Sequence, residues 1–139
     1  FNKNLQFSPD YDLLMNIASK YNAYVVNDYL IKYRVVSGSL TYQKIDYWWL
    51  EMKQTLDSIF DNNPSLISKY PKQYHKAYAK VNYLKAKLFF YRKENTNAIK
   101  ALSEYKFLDL KFFTLFILSL FGRNVWNLVQ NKFNIHERG

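Results

Sequence analysis

Three glycines and three prolines in 139 residues leave this chain few places to turn sharply. Average usage is roughly 7% Gly and 5% Pro. A sandwich or barrel needs a tight turn every few residues, so this scarcity argues against an all-β fold and favours long helices. Nearly half of the composition is apolar, enough for a real core at the size of one domain. No cysteine is present, which removes disulfides, thiolate zinc sites and a cysteine nucleophile and fits a reducing compartment. The first residue is Phe rather than Met, and no signal-peptide pattern follows it. The expectation is a piece of a longer protein.

Hydrophobic periodicity divides the chain further. Ser8-Pro9-Asp10 is helix-start chemistry: Ser8 can cap, Pro9 suits the first helical position, and Asp10 sits at the positive end of the dipole. Leu13, Leu14, Ile17, Ala18 and Tyr21 follow at helical spacing and predict one buried stripe on a helix reaching about Lys20. Ala23–Val26 and Leu30–Val36 predict two short strands joined at Asn27-Asp28. The second alternates Ile31, Tyr33 and Val35 with Lys32 and Arg34. Ser37-Gly38-Ser39 ends it, and Thr41 suits the N-cap of the next helix.

That helix presents Ile45, Trp48, Trp49, Met52, Leu56, Ile59 and Phe60 on an apolar face. Asp46, Lys53, Gln54 and Asp57 point away, and Asn62-Asn63-Pro64 stops it. Trp48 and Trp49 fit the stripe and are assigned to packing ahead of a sugar-stacking platform. A long helix is expected from about Ser65 to Lys93, with Pro71 as a point of interruption. Tyr74, Ala77, Tyr78, Val81, Leu84, Leu88 and Tyr91 form its buried side, and Lys72, Lys76, Lys80 and Lys87 its solvated side. A turn at Glu94-Asn95 leads to a short helix with Ala98, Ala101, Leu102 and Tyr105, giving an antiparallel helix pair. The apolar segment Phe107–Phe121 and a last helix, Arg123–Phe133, complete the chain, with a loose tail from Asn134. The expected fold class is mainly α, with a short β-hairpin near the N-terminus followed by a multi-helix extension.

Charge is split unevenly. Residues 1–65 carry six Lys/Arg and seven Asp/Glu, whereas residues 66–139 carry fourteen and four, a net of +10. A basic half suits an anionic neighbour such as a lipid surface or nucleic acid, or is simply a solvated face. Nucleic acid is disfavoured, because Tyr74, Tyr78 and Tyr91, interleaved with Lys, fall on the apolar stripe. The uncharged run Phe112–Phe121 is ten residues long, about half of what a spanning helix needs. It is either a buried core helix or a segment lying in an anionic membrane interface between basic flanks. Being apolar all round, it leaves both readings open. His75 and His136 stand alone, with no partner at metal-ligand spacing and no triad setting. No dinucleotide fingerprint and no P-loop is present.

Phe1 to Thr41 resembles the closing part of the catalytic domain in family-2 nucleotide-sugar glycosyltransferases of the A-type fold. The family pattern is a hydrophobic lead-in, then Glu-Asp-aromatic-Asp-Leu opening a helix. A hairpin ending in Tyr-Arg-x-His follows, then a small-residue loop with Ser and Leu-Ser/Thr. Here these positions read Phe1–Phe7, Pro9-Asp10-Tyr11-Asp12-Leu13, Tyr33-Arg34-Val35-Val36 and Ser37-Gly38-Ser39-Leu40-Thr41. Their order and spacing together carry the resemblance. Two positions depart from it: Pro9 stands where the family has Glu, and Val36 where it has His.

The resemblance implies that residues 1–41 are the acceptor-side end of a bacterial glycosyltransferase domain and residues 42–139 its C-terminal helical extension. It implies that Asp10 is the general base that takes the acceptor hydroxyl's proton in an inverting transfer, and that Arg34 and Ser39 contact substrate. A Mg or Mn ion held on an Asp-x-Asp motif ahead of Phe1 would bind the leaving diphosphate. The implied partners are a nucleotide-sugar donor and a glycan or lipid-linked acceptor in surface polysaccharide synthesis. The implied location is the cytoplasm, with peripheral attachment to the inner membrane face. From the local pattern alone Asp10 reads first as a dipole partner and Arg34 as a solvated strand residue. The rival for the whole chain is a non-catalytic basic helical module that docks on a membrane or a protein.

Overall fold

A computed structural model describes residues 2–32 and 45–128 of the chain. Those residues are mainly α-helical, and the chain divides into two compact units, Phe1–Leu66 and Ile67–Gly139. The first unit holds α1 (Pro9–Ala18) and α2 (Ile45–Asn62). Next comes the short α3 (Ser65–Lys69), at the division between the units. The second unit holds α4 (Pro71–Tyr91), α5 (Asn95–Ser103) and α6 (Leu110–Leu120), and residues 123–128 are also helical.

In the first unit, Pro9 opens α1 and Ser19 closes it, its N–H bonding to the Met15 carbonyl at 3.0 Å. The helix packs on α2, yet none of its residues is buried. Leu13, Leu14, Ile17 and Tyr21, expected as a buried stripe, are exposed. The expected hairpin is corrected as well. Residues 22–32 contain no strand, and the rest of the expected second strand Leu30–Val36, residues 33–36, lies outside the described residues, as do Ser37-Gly38-Ser39 and Thr41. A strand needs a neighbour for its backbone groups and one covered face for its side chains. Here Tyr24, Val25, Tyr29 and Ile31 all stand in solvent, and among the described residues no strand lies beside them. The α2 stripe does form: Met52, Leu56 and Ile59 are buried, while Lys53 bridges the exposed Asp57 side chain at 2.6 Å one turn on.

The interruption expected at Pro71 is present: Tyr70 separates α3 from α4, and Pro71 takes the first position of α4. The link Arg92–Glu94 brings α5 back against α4. Lys93 adopts the left-handed conformation there, at φ 67°, which lets the chain reverse in so short a link. Small residues, Ala86 on α4 and Ala98 on α5, face this contact and allow close approach. The core of the unit gathers these with Phe90, Leu102, Leu115 and Trp126. Phe90 and Trp126 stack at 4.7 Å between centroids, and Tyr83 meets Trp126 at 6.0 Å. Asp109 is the N-cap of α6, accepting from the Phe112 N–H at 3.0 Å. Gly122, at φ 84°, ends α6 in the conformation that a side chain would strain.

Two details of α4 differ from the periodicity. Tyr91, assigned to the buried side, is 78% exposed, whereas its neighbour Phe90 is 1% exposed. Burial on α4 falls on two sides, Ala79, Ala86 and Phe90 on one and Val81, Leu84 and Leu88 on the other, while Tyr91, the last residue of the helix, is exposed. This adjacent pair gives a direct check. Phe90→Ala should lose about 3–5 kcal/mol of stability in urea unfolding, whereas Tyr91→Ala should stay within about 0.5 kcal/mol of the parent.

Candidate functional site

The site predicted from sequence sits at the start of α1, and its geometry is set by a residue on α2. Glu51 is 5% exposed. Its Oε1 accepts from the Gln6 N–H at 2.8 Å and its Oε2 from the Ser8 N–H at 2.7 Å. The Phe7 N–H reaches both oxygens, at 3.1 and 3.0 Å, and the Ser8 hydroxyl donates to Oε2 at 3.0 Å. Three successive backbone N–H groups thus converge on one carboxylate, an anion-binding concavity filled by the protein's own side chain. Ser8 is the N-cap residue of α1, but its hydroxyl makes no capping bond; it is turned to Glu51 instead. That corrects the capping role expected for Ser8.

A second link lies one turn along α2. The Thr55 hydroxyl donates to Asp12 Oδ1 at 2.9 Å. Phe7 and Trp48 complete the contact with rings 6.0 Å apart, so Trp48 is half-buried against the protein's own Phe7. Beside these links is a cavity of about 290 Å³ whose wall includes Asn2, Asn4, Asp12, Gln54, Thr55 and Ser58.

Asp10 lies in the first turn of α1 and is exposed, its Oδ1 accepting only a local bond from the Tyr11 N–H at 2.8 Å among those resolved. Asp10-Tyr11-Asp12 has the spacing of an Asp-x-Asp motif, but residues two apart on a helix do not face each other. Asp12 turns to Thr55 and Asp10 to solvent. Among the described residues no group of three His, Asp or Glu side chains converges as a metal site would require. Arg34 and Ser39, expected to contact substrate, lie outside the described residues, as does His136. His75 is exposed on α4 with its ring edge against Tyr74. It lines a separate cavity of about 420 Å³ with Glu104, Tyr105, Phe107 and Leu108. Burial, and then the Glu104 carboxylate, push the Tyr105 hydroxyl up to about 12, so it stays protonated at neutral pH.

A scan of known protein-family models finds no match to the chain, and neither curated proteins nor solved structures yield one.

Glu51 is the residue that periodicity alone passed over. The signal was present: positions 48, 51, 52, 55, 56 and 59 share one side of α2, so a carboxylate at 51 faces the interior. Burial is the largest single influence on it and pushes its carboxyl up. The hydrogen bonds from Ser8, Gln6 and Phe7 N–H and the Ser8 hydroxyl together outweigh that and hold it below the ordinary value of 4.5. A group with a depressed folded value stabilises the fold above its unfolded value, and that contribution is lost as pH falls through the folded one. Glu51→Gln keeps one accepting oxygen but strands the donors of Ser8, at roughly 1–3 kcal/mol for a buried unpaired group. Urea unfolding should therefore show the variant about 2 kcal/mol less stable at neutral pH. The gap should close as pH drops below 4.5 and the wild-type carboxyl protonates.

Proposed function

We propose that this chain is the acceptor-side end of an inverting, nucleotide-sugar-dependent glycosyltransferase domain of the bacterial family-2 type, followed by a helical extension. The observation that carries this reading is the braced start of α1. The Glu51 contacts fix the three residues ahead of the helix, and Asp10 is presented from that rigid mount with its carboxylate open to solvent. A general base needs both properties: a fixed position, and access to the proton it takes.

In this reading Asp10 accepts the proton of an acceptor hydroxyl. The acceptor oxygen bonds to the anomeric carbon of the donor sugar from the face opposite the leaving group. The bond from that carbon to the nucleoside diphosphate breaks, and configuration inverts. Mg or Mn, when bound, offsets charge on the leaving diphosphate; its ligands are assigned to residues beyond this segment. Arg34 and Ser39 are assigned to substrate contact on the resemblance alone. The proposed donor is a nucleotide sugar, the acceptor a glycan or lipid-linked glycan, and the setting surface polysaccharide synthesis in the cytoplasm.

The uncovered apolar residues support a larger domain around this segment. Leu14, Ile17, Tyr24, Val25 and Ile31 are strand and helix-core residue types left in solvent. The sheet of a catalytic domain would supply a neighbour for residues 22–32, which have no strand beside them among the described residues.

Asp10→Asn separates catalysis from structure when made in the enzyme that includes its nucleotide-binding half. Asn retains the size of the side chain and can still accept the local bond from the exposed Tyr11 N–H, so the melting temperature should hold near wild type. Loss of the base should lower kcat by about 10²–10⁴-fold, roughly 3–5 kcal/mol at the transition state. A stable variant with wild-type kcat would remove Asp10 from the mechanism.

A further inference from the structure

The second unit carries a feature that the glycosyltransferase reading does not use. Helix α6 is apolar on both sides. One side, Phe112, Leu115 and Ser119, is buried. The opposite side is a continuous stripe of Leu110, Phe113, Ile117, Leu120 and Phe121, all exposed, with Leu110 at 80% and Phe121 at 69%. These residues recur at the three- and four-residue steps that align one helix face. Phe107 extends the stripe, stacking on Phe113 at 6.2 Å. At 1.5 Å per residue the exposed face of the helix is about 16 Å long.

Cations bracket it. Lys111 stands near one end and Arg123 follows the other. Lys106 lies over the rings of Phe107 and Phe116, its ammonium 5.1 and 5.2 Å from their centroids. This places a positive charge directly against the aromatic end of the stripe, a cation–π contact. From Leu110 to His136 the sequence contains Lys111, Arg123 and Lys132 and no carboxylate. Asp109, the nearest acid, is engaged as the N-cap of α6.

We propose that the outer face of α6 is a docking surface for an anionic phospholipid bilayer, with the helix lying in the plane of the interface. Apolar side chains at this depth take the place of lipid-covered surface, and the bracketing cations meet headgroup phosphates. The charge pattern selects this occupant: an apolar stripe framed by positive charge matches hydrocarbon beneath a phosphate layer. Among the described residues no helix is long and apolar enough to cross a membrane, so the attachment is to one leaflet. Nothing in this inference depends on Asp10 being a base.

Flotation of the full chain with vesicles tests it. The chain should float with vesicles containing phosphatidylglycerol, stay behind with phosphatidylcholine alone, and release as salt rises. Leu110→Ser combined with Phe113→Ser and Leu120→Ser should weaken partition roughly a hundredfold or more. Lys111→Gln should weaken it about fivefold, the loss of one interfacial cation. Because the chain has no cysteine, Thr114→Cys gives a single labelling point on the exposed side of α6. A polarity-sensitive dye there should shift to the blue on anionic vesicles, which reports on the face even if the triple variant folds poorly. Equal flotation on neutral and anionic vesicles, or an unshifted dye, overturns the proposal. So does a wild type that stays off vesicles but sediments as a dimer that the triple variant dissociates, since the face would then belong to a second copy of the chain.

Discussion

The Glu51 carboxylate and the three N–H groups it receives form the contact on which the first unit depends. Each side of the contact needs the other. A carboxylate taken out of water is costly unless its oxygens are filled by donors. Backbone N–H groups entering a helix have no partner of their own. Placing the acid on α2 and the donors ahead of α1 resolves both. The arrangement also explains why α1 stays in place with no buried side chain: its attachment to α2 is polar, through Glu51 and through the Thr55–Asp12 bond one turn further on. The reading of Asp10 as a base inherits its geometry from this brace.

The second unit is built on the opposite principle. Its helices meet through Ala86, Ala98, Leu102 and the Phe90–Trp126 stack, where dispersion and apolar burial do the stabilising. Polar groups act at its boundaries, as Asp109 does at the start of α6. Its surplus of apolar residues goes to the outside of α6, the face proposed above to meet a lipid surface. The run Phe112–Phe121 therefore has one side in the core and the other exposed.

Most of the helical architecture was legible. Scarce glycine and proline announced helices, Pro71 marked the break before α4, and the stripe Met52, Leu56 and Ile59 became core. What was not legible depends on neighbours that periodicity cannot see. Leu14 and Ile17 have helical spacing yet are exposed, and Val25 and Ile31 have strand character but no adjacent strand among the described residues. Spacing places Glu51 on the inner side of α2, but its partners are backbone groups more than forty positions away, which no side-chain pattern reveals. Ser8 carried a capping signature and spends its hydroxyl on that same acid. Asp10 was legible as a helix-start carboxylate, and its exposure was not, since that follows from where Glu51 pulls the preceding chain.

Amide hydrogen exchange at Gln6, Phe7 and Ser8 tests the brace most directly. These residues precede the helix, so no helical bond protects them. If Glu51 holds them, all three exchange at least on the order of a hundredfold slower than an unstructured chain at neutral pH, and Glu51→Gln removes that protection. Exchange at the unstructured rate in the wild type would contradict the account, leaving α1 without its anchor and Asp10 without a fixed position.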